Sequence, residues 1–135
     1  MPLGFTRSKE GDVVRAGGRD WDVRIGNGHA PEHATLWSRD GDLVIGGAQL
    51  LATISPNLGV YATEPGADPV GDWIESCARL APFAADDQLV LPGHKLPFRG
   101  LPTRMEQLEE NLHSALRLLQ TFLETPRTAA ECFKP

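Results

Sequence analysis

Three of the four histidines in this 135-residue chain fall in two short glycine- and proline-bearing stretches, Gly28-His29-Ala30-Pro31-Glu32-His33 and Pro92-Gly93-His94. Imidazole nitrogen is the commonest protein ligand for metals such as zinc, so histidines drawn from separate loops first suggest a metal site. Without a family in view, a histidine in such a loop is more often a surface or hydrogen-bonding residue than a ligand, and spacing alone leaves both readings open. The His29/His33 pair has the separation of a helical H-E-x-x-H zinc site, but its glutamate adjoins the second histidine and Pro31 opposes a continuous helix. Other chemistries find less support. No G-x-S-x-G elbow occurs for a serine nucleophile, and no glycine pair is followed by the Lys-Ser/Thr of a phosphate loop. Cys77 falls on an apolar helical stripe, which reads as a buried small hydrophobe rather than a reactive thiol. His113 lies between Glu109 and Arg117 at i−4 and i+4, the pattern of a solvated helix face.

The elements that must carry these loops follow from periodicity. Gly17-Gly18 and Asp40-Gly41 each separate short apolar-rich runs and tolerate positive φ, so two hairpins are predicted, residues 12–15 with 19–25 and 34–38 with 42–45. In the first, Trp21, Val23 and Ile25 alternate with Asp22 and Arg24 as in a half-buried strand. The stretch from Gly26 to Pro31 between the hairpins is then a loop at a strand end, where binding residues commonly sit. Asp68-Pro69 reads as an N-cap with proline at the first helical position. Val70, Trp73, Ile74, Cys77 and Leu80 form the buried stripe of that helix, and Pro82 ends it. Residues 88–91 form a short strand running into Pro92-Gly93-His94. A further helix is predicted from a capping box of Thr103 and Glu106 to about Glu124, with Met105, Leu108, Leu112, Leu116, Leu119 and Phe122 on its apolar stripe. Thr128 and Glu131 make a second capping box near the end of the sequence.

These residues together resemble a known family. Trp21 to His33 (WDVRIGNGHAPEH), the hairpin ATLWSRDGDLVIGGAQL, Ile54 to Asn57 (ISPN) and Leu89 to Leu101 (LVLPGHKLPFRGL) are similar, in order and spacing, to the C-terminal half of a metallo-β-lactamase-superfamily hydrolase. The resemblance implies an α/β (α+β) fold, the second half of an αββα sandwich. It implies two domain parts: residues 1–125 as the C-terminal part of a metallo-β-lactamase-like domain and residues 126–135 as the start of a truncated C-terminal helical segment. It also implies that His29 and His94 are zinc ligands, with His33 nearby. Two departures accompany the match. The metal-bridging aspartate of the family corresponds to Ala48 in Gly47-Ala48-Gln49, and a methyl group binds no metal. The H-x-H-x-D-H motif that supplies most ligands in the family is absent from this sequence. The expectation is therefore a metal-dependent hydrolase of the ester, thioester or lactone class, present as a partial chain that is inactive alone or depends on a complementary N-terminal half. The alternative is a catalytically silent binding or assembly partner. Two histidines suit zinc, iron and nickel alike and do not select the metal; catalytic zinc usually takes three protein ligands and His29 and His94 supply two, so a weak or incomplete zinc site is expected of this chain alone.

Composition narrows the remaining classes. Apolar residues at 41% and charged residues at 23% match globular usage and argue against disorder or a fibrous repeat. Thirteen Lys and Arg against eighteen Asp and Glu leave a net charge of −5, a poor match to a phosphate backbone, so an RNA-cutting phosphodiesterase is a minor alternative and nucleic acid is not an expected partner. Two cysteines are too few for a disulfide framework, and the first ten residues lack the apolar run of a secretory signal, so a reducing cytoplasm and no membrane are expected. A lone half of a two-sheet sandwich would expose an apolar face, so the expected partners are an N-terminal half or a second copy of the chain, and a small-molecule substrate once the site is complete.

Overall fold

A computed structural model of the chain describes Gly4 and residues 6–132. The first hairpin joins β1 (Val13–Ala16) to β2 (Arg19–Gly26), with Gly17 and Gly18 both at positive φ (59° and 77°) in the tight turn. The second joins β3 (His33–Ser38) to β4 (Leu43–Gly47) through a longer turn, in which only Gly41 takes positive φ and donates its N–H to the Ser38 carbonyl at 2.9 Å. β2 and β3 are also antiparallel neighbours, from Trp21 opposite Ser38 to Gly26 opposite His33.

β5 (Leu89–Pro92) completes one five-stranded sheet in the order β1-β2-β3-β4-β5, and it runs parallel to β4 with Val44 opposite Val90. A parallel neighbour requires a crossover, supplied by helix α1 (Pro69–Leu80). This pairing matters for function, because it sets Gly47 opposite Pro92 and so brings the turn at Ala48 and the loop at His94 to one end of the sheet.

One face of the sheet packs on helices. Trp37, Val44 and Val90 join Leu50, Trp73, Cys77, Leu80, Leu101, Met105 and Leu108 in a single buried cluster. α1 opens as its sequence predicts, with Asp68 accepting from the Gly71 N–H at 2.9 Å and Pro69 in the first turn. Helix α2 (Leu101–Phe122) differs from expectation at both ends. It starts two residues before Thr103, from Gly100 at φ 76°, and no side chain caps it; Pro102 fits the first turn, so Thr103 and Glu106 lie inside the helix. Its stripe divides. Met105 and Leu108 are buried and Leu112 partly so, whereas Leu116, Leu119 and Phe122 are exposed, because a 22-residue helix rises about 33 Å and outruns the sheet beneath it. The second capping box forms: Thr128 donates from its N–H and its hydroxyl to Glu131 Oε2, both at 2.8 Å, ahead of the short helix α3 (Ala129–Cys132).

The opposite sheet face carries Trp21, Val23, Ile25, Leu36, Leu43, Ile45, Leu89 and Leu91 by strand alternation. Trp21 and Val23 are buried, Leu36, Leu43, Leu89 and Leu91 only partly, and Ile45 is exposed. Among the described residues, no helix is long and apolar enough to cross a membrane.

Candidate metal centre

The loop that carries His29 leaves β2 through Gly26-Asn27-Gly28, and both glycines are required by close approach. A Cβ on Gly26 would lie 2.5 Å from Gln49 Cδ, and one on Gly28 would lie 2.4 Å from the Pro69 carbonyl oxygen and 2.6 Å from Trp73 Cβ. Gly28 also takes φ 99°. The chain is thus threaded between the turn after β4 and the first turns of α1.

His29 is partly buried, and its Nδ1 lies 3.0 Å from the Asn57 carbonyl oxygen. A carbonyl only accepts, so the neutral ring carries its proton on Nδ1 and keeps a free lone pair on Nε2, the arrangement of a metal-ligating imidazole. The segment that presents this carbonyl is tied to α2 by Arg104, which donates to the Leu51 carbonyl at 2.9 Å and the Ile54 carbonyl at 3.3 Å.

His33 opens β3 with its ring edge-on to that of His29, centroids 5.7 Å apart. It rests on Gly47, where a Cβ would fall 2.3 Å from His33 Nε2. Burial lowers its pKa from the ordinary imidazole value, and the neighbouring His29 lowers it further. His94 follows β5 on an exposed loop, joined to the same turn by the Gly93 N–H, which donates to the Gly47 carbonyl at 2.7 Å. Ala48 is partly buried between these contacts, in a turn closed by the Gln49 and Leu50 N–H groups on the Gly46 carbonyl. Glu32 (φ 52°) and Lys95 (φ 69°), the residues beside His33 and His94, are the two non-glycine positions at positive φ among the described residues. Such strain concentrates at functional sites.

Sequence reasoning missed the residues that hold the loop: the Asn57 carbonyl, Arg104, Gln49 and Ser76. Each of these contacts has a main-chain atom on one side, the Asn27 N–H or carbonyl or the Leu51, Ile54 or Asn57 carbonyl, which no residue type announces. Ile54 to Asn57 and Gly47 to Gln49 were visible only as motifs.

The structure sets the His29–His33 loop against the Ala48 turn, and the Gly93–His94 loop against that turn from the other side. Among the described residues, no three His, Cys, Asp or Glu side chains lie close enough together to hold an ion. Imidazole suits a zinc ion, but catalytic zinc takes three protein ligands, and position 48 offers a methyl group. A cleft of about 130 Å³ lies beside His29, lined by Asn27, Pro31, Tyr61, Glu64 and Asp72.

Comparison with solved structures agrees with this architecture. A β-lactamase domain protein from Burkholderia ambifaria is 40% identical, with TM-score 0.83 over 89% of this chain and 37% of its own. A metallo-β-lactamase family protein from Thermus thermophilus is 28% identical, with TM-score 0.84 over 97% of this chain and 42% of its own. A metallo-β-lactamase from Pontibacter korlensis, at 22% identity and TM-score 0.58 over 78% of this chain and 48% of its own, shares the fold alone. By fold and by sequence similarity, the chain is of the metallo-β-lactamase superfamily. It spans less than half the length of these relatives. No protein-family model matches it, and no curated protein does.

Proposed function

We propose that this chain is the part of a metal-dependent hydrolase that supplies His29 and His94 as imidazole ligands, and that it is hydrolytically silent alone. Esters, thioesters or lactones are the substrates of the complete enzyme. The observation that carries this reading is the pairing of an oriented His29, its Nδ1 held by the Asn57 carbonyl, with a methyl group at position 48. When bound, a zinc ion supplies Lewis acidity and a water of lowered pKa. This chain's own contribution is to orient the two imidazoles and to offer the cleft beside His29 to the substrate. The remaining ligands come from a complementary N-terminal half, which seats on the sheet face carrying Leu36, Leu43, Ile45 and Leu91.

The test is co-expression of the chain with a metallo-β-lactamase N-terminal half bearing H-x-H-x-D-H, followed by metal analysis and a thioester and lactone hydrolysis screen. Zinc uptake and hydrolysis by the pair but not by either part support the proposal; hydrolysis by the chain alone contradicts it. Ala48 favours a second reading, a silent assembly partner. In that case the pair forms and stays inactive, and Ala48→Asp in the pair leaves it so.

A further inference from the structure

Gln49 is a polar side chain with 0% exposure, set against Gly26 and Asn27, while its main-chain carbonyl accepts from Trp73 Nε1 at 3.2 Å. Its Nε2 donates to the Asn27 carbonyl at 3.2 Å, while its Oε1 is buried with no partner. Leaving a buried amide acceptor unpaired is costly, so a residue chosen for packing alone would be apolar here. The other contacts of Asn27 converge on the same point. Its N–H donates to Ser76 Oγ at 2.8 Å, and that hydroxyl donates to the Asp72 carbonyl at 2.7 Å, which fixes it on α1. Its own Oδ1 accepts from the Glu32 N–H at 2.9 Å, closing the loop that contains His29. The residue two positions before His29 is therefore held from the turn after β4, from α1 and from the far end of its own loop. Gly26 and Gly28 are what let the chain approach both clamps.

We propose that Gln49 and Ser76 are positioning residues for His29: by gripping Asn27 they hold the imidazole in register with the Asn57 carbonyl, and so keep the lone pair on Nε2. Gln49 directly follows Ala48, so the same side chain fixes the distance between the His29 loop and position 48. The proposal rests on the reading of His29 as a metal ligand only for its consequence; the orientation itself is a property of the metal-free chain.

The experiment uses the 135-residue chain without metal, with ¹⁵N-labelled histidine, at about pH 8, where an ordinary imidazole is neutral. Long-range ¹H–¹⁵N spectra report which ring nitrogen bears the proton. The wild type should show His29 as the Nδ1–H form. Gln49→Met keeps the volume of the side chain but removes its donor, and should shift His29 toward the Nε2–H form while the melting temperature changes by a few degrees at most. Zinc titration of the same samples should show a loss of roughly 10-fold or more in affinity, the usual size of outer-shell effects on a ligand. Ser76→Ala tests the second clamp and should shift the ring in the same direction, so the question remains answerable if Gln49→Met does not fold. An unchanged His29 tautomer in a folded Gln49→Met or Ser76→Ala chain overturns the proposal. A wild type that holds the Nδ1–H form, yet shows no zinc-induced change at His29 when paired with the N-terminal half, overturns the metal reading and leaves the positioning intact.

Discussion

At the scale of single residues, the two thiols are in unlike surroundings. Burial, with Glu109 adding to it, pushes the Cys77 thiol up to about 12, whereas Cys132 is partly exposed on α3. At neutral pH a maleimide should label Cys132 in the native chain and Cys77 only in denaturant, as mass mapping would show; early labelling of Cys77 contradicts its place in the core. Gly28→Ala should destabilise by at least about 2 kcal/mol, because the added methyl meets the Pro69 carbonyl and the backbone is at φ 99°. Gly66, with open space around it and no positive φ, is the control, and its alanine variant should melt within about 0.5 kcal/mol of the parent. The histidine loops were legible from residue type, since glycine, proline and histidine carry their conformational meaning with them. What orients His29 was not legible, because a main-chain carbonyl at Asn57 and an amide at Gln49 act through a fold that no local pattern announces.

At the scale of elements, α2 divides into a half that packs and a half that does not. Met105→Ala should cost about 2–5 kcal/mol, whereas Leu118→Ala should stay within about 0.5 kcal/mol, measured by urea unfolding. Equal effects would mean that the exposed half is covered in solution. Apolar periodicity announced a helix here but not its partner: Leu116, Leu119 and Phe122 repeat the spacing of Met105 and Leu108, and only the extent of the sheet separates them. The capping signals divided likewise. Asp68-Pro69 and Thr128/Glu131 acted as predicted, while Thr103 lost to Gly100-Leu101-Pro102, which offers a left-handed turn and a proline for the first turn of α2. The parallel pairing of β4 and β5 was not legible at all, since their partners lie more than forty residues apart and nothing in either strand names the other.

At the scale of the whole molecule, one sheet carries helices on one face and a partly exposed apolar strip on the other. Sedimentation of the isolated chain should therefore show a dimer or larger species, and a monomer with a cooperative melt would contradict an uncovered face. The larger question is whether two loops that meet at a methyl-bearing turn can hold a metal. Zinc stoichiometry and affinity of the purified 135-residue chain, by titration calorimetry beside its Ala48→Asp variant, answer it most directly. Well under one tightly bound zinc per chain is expected, with binding strengthened by about 10-fold or more when a carboxylate replaces the methyl group. One or more zinc ions per chain at nanomolar affinity, in a species shown to be monomeric, would contradict it.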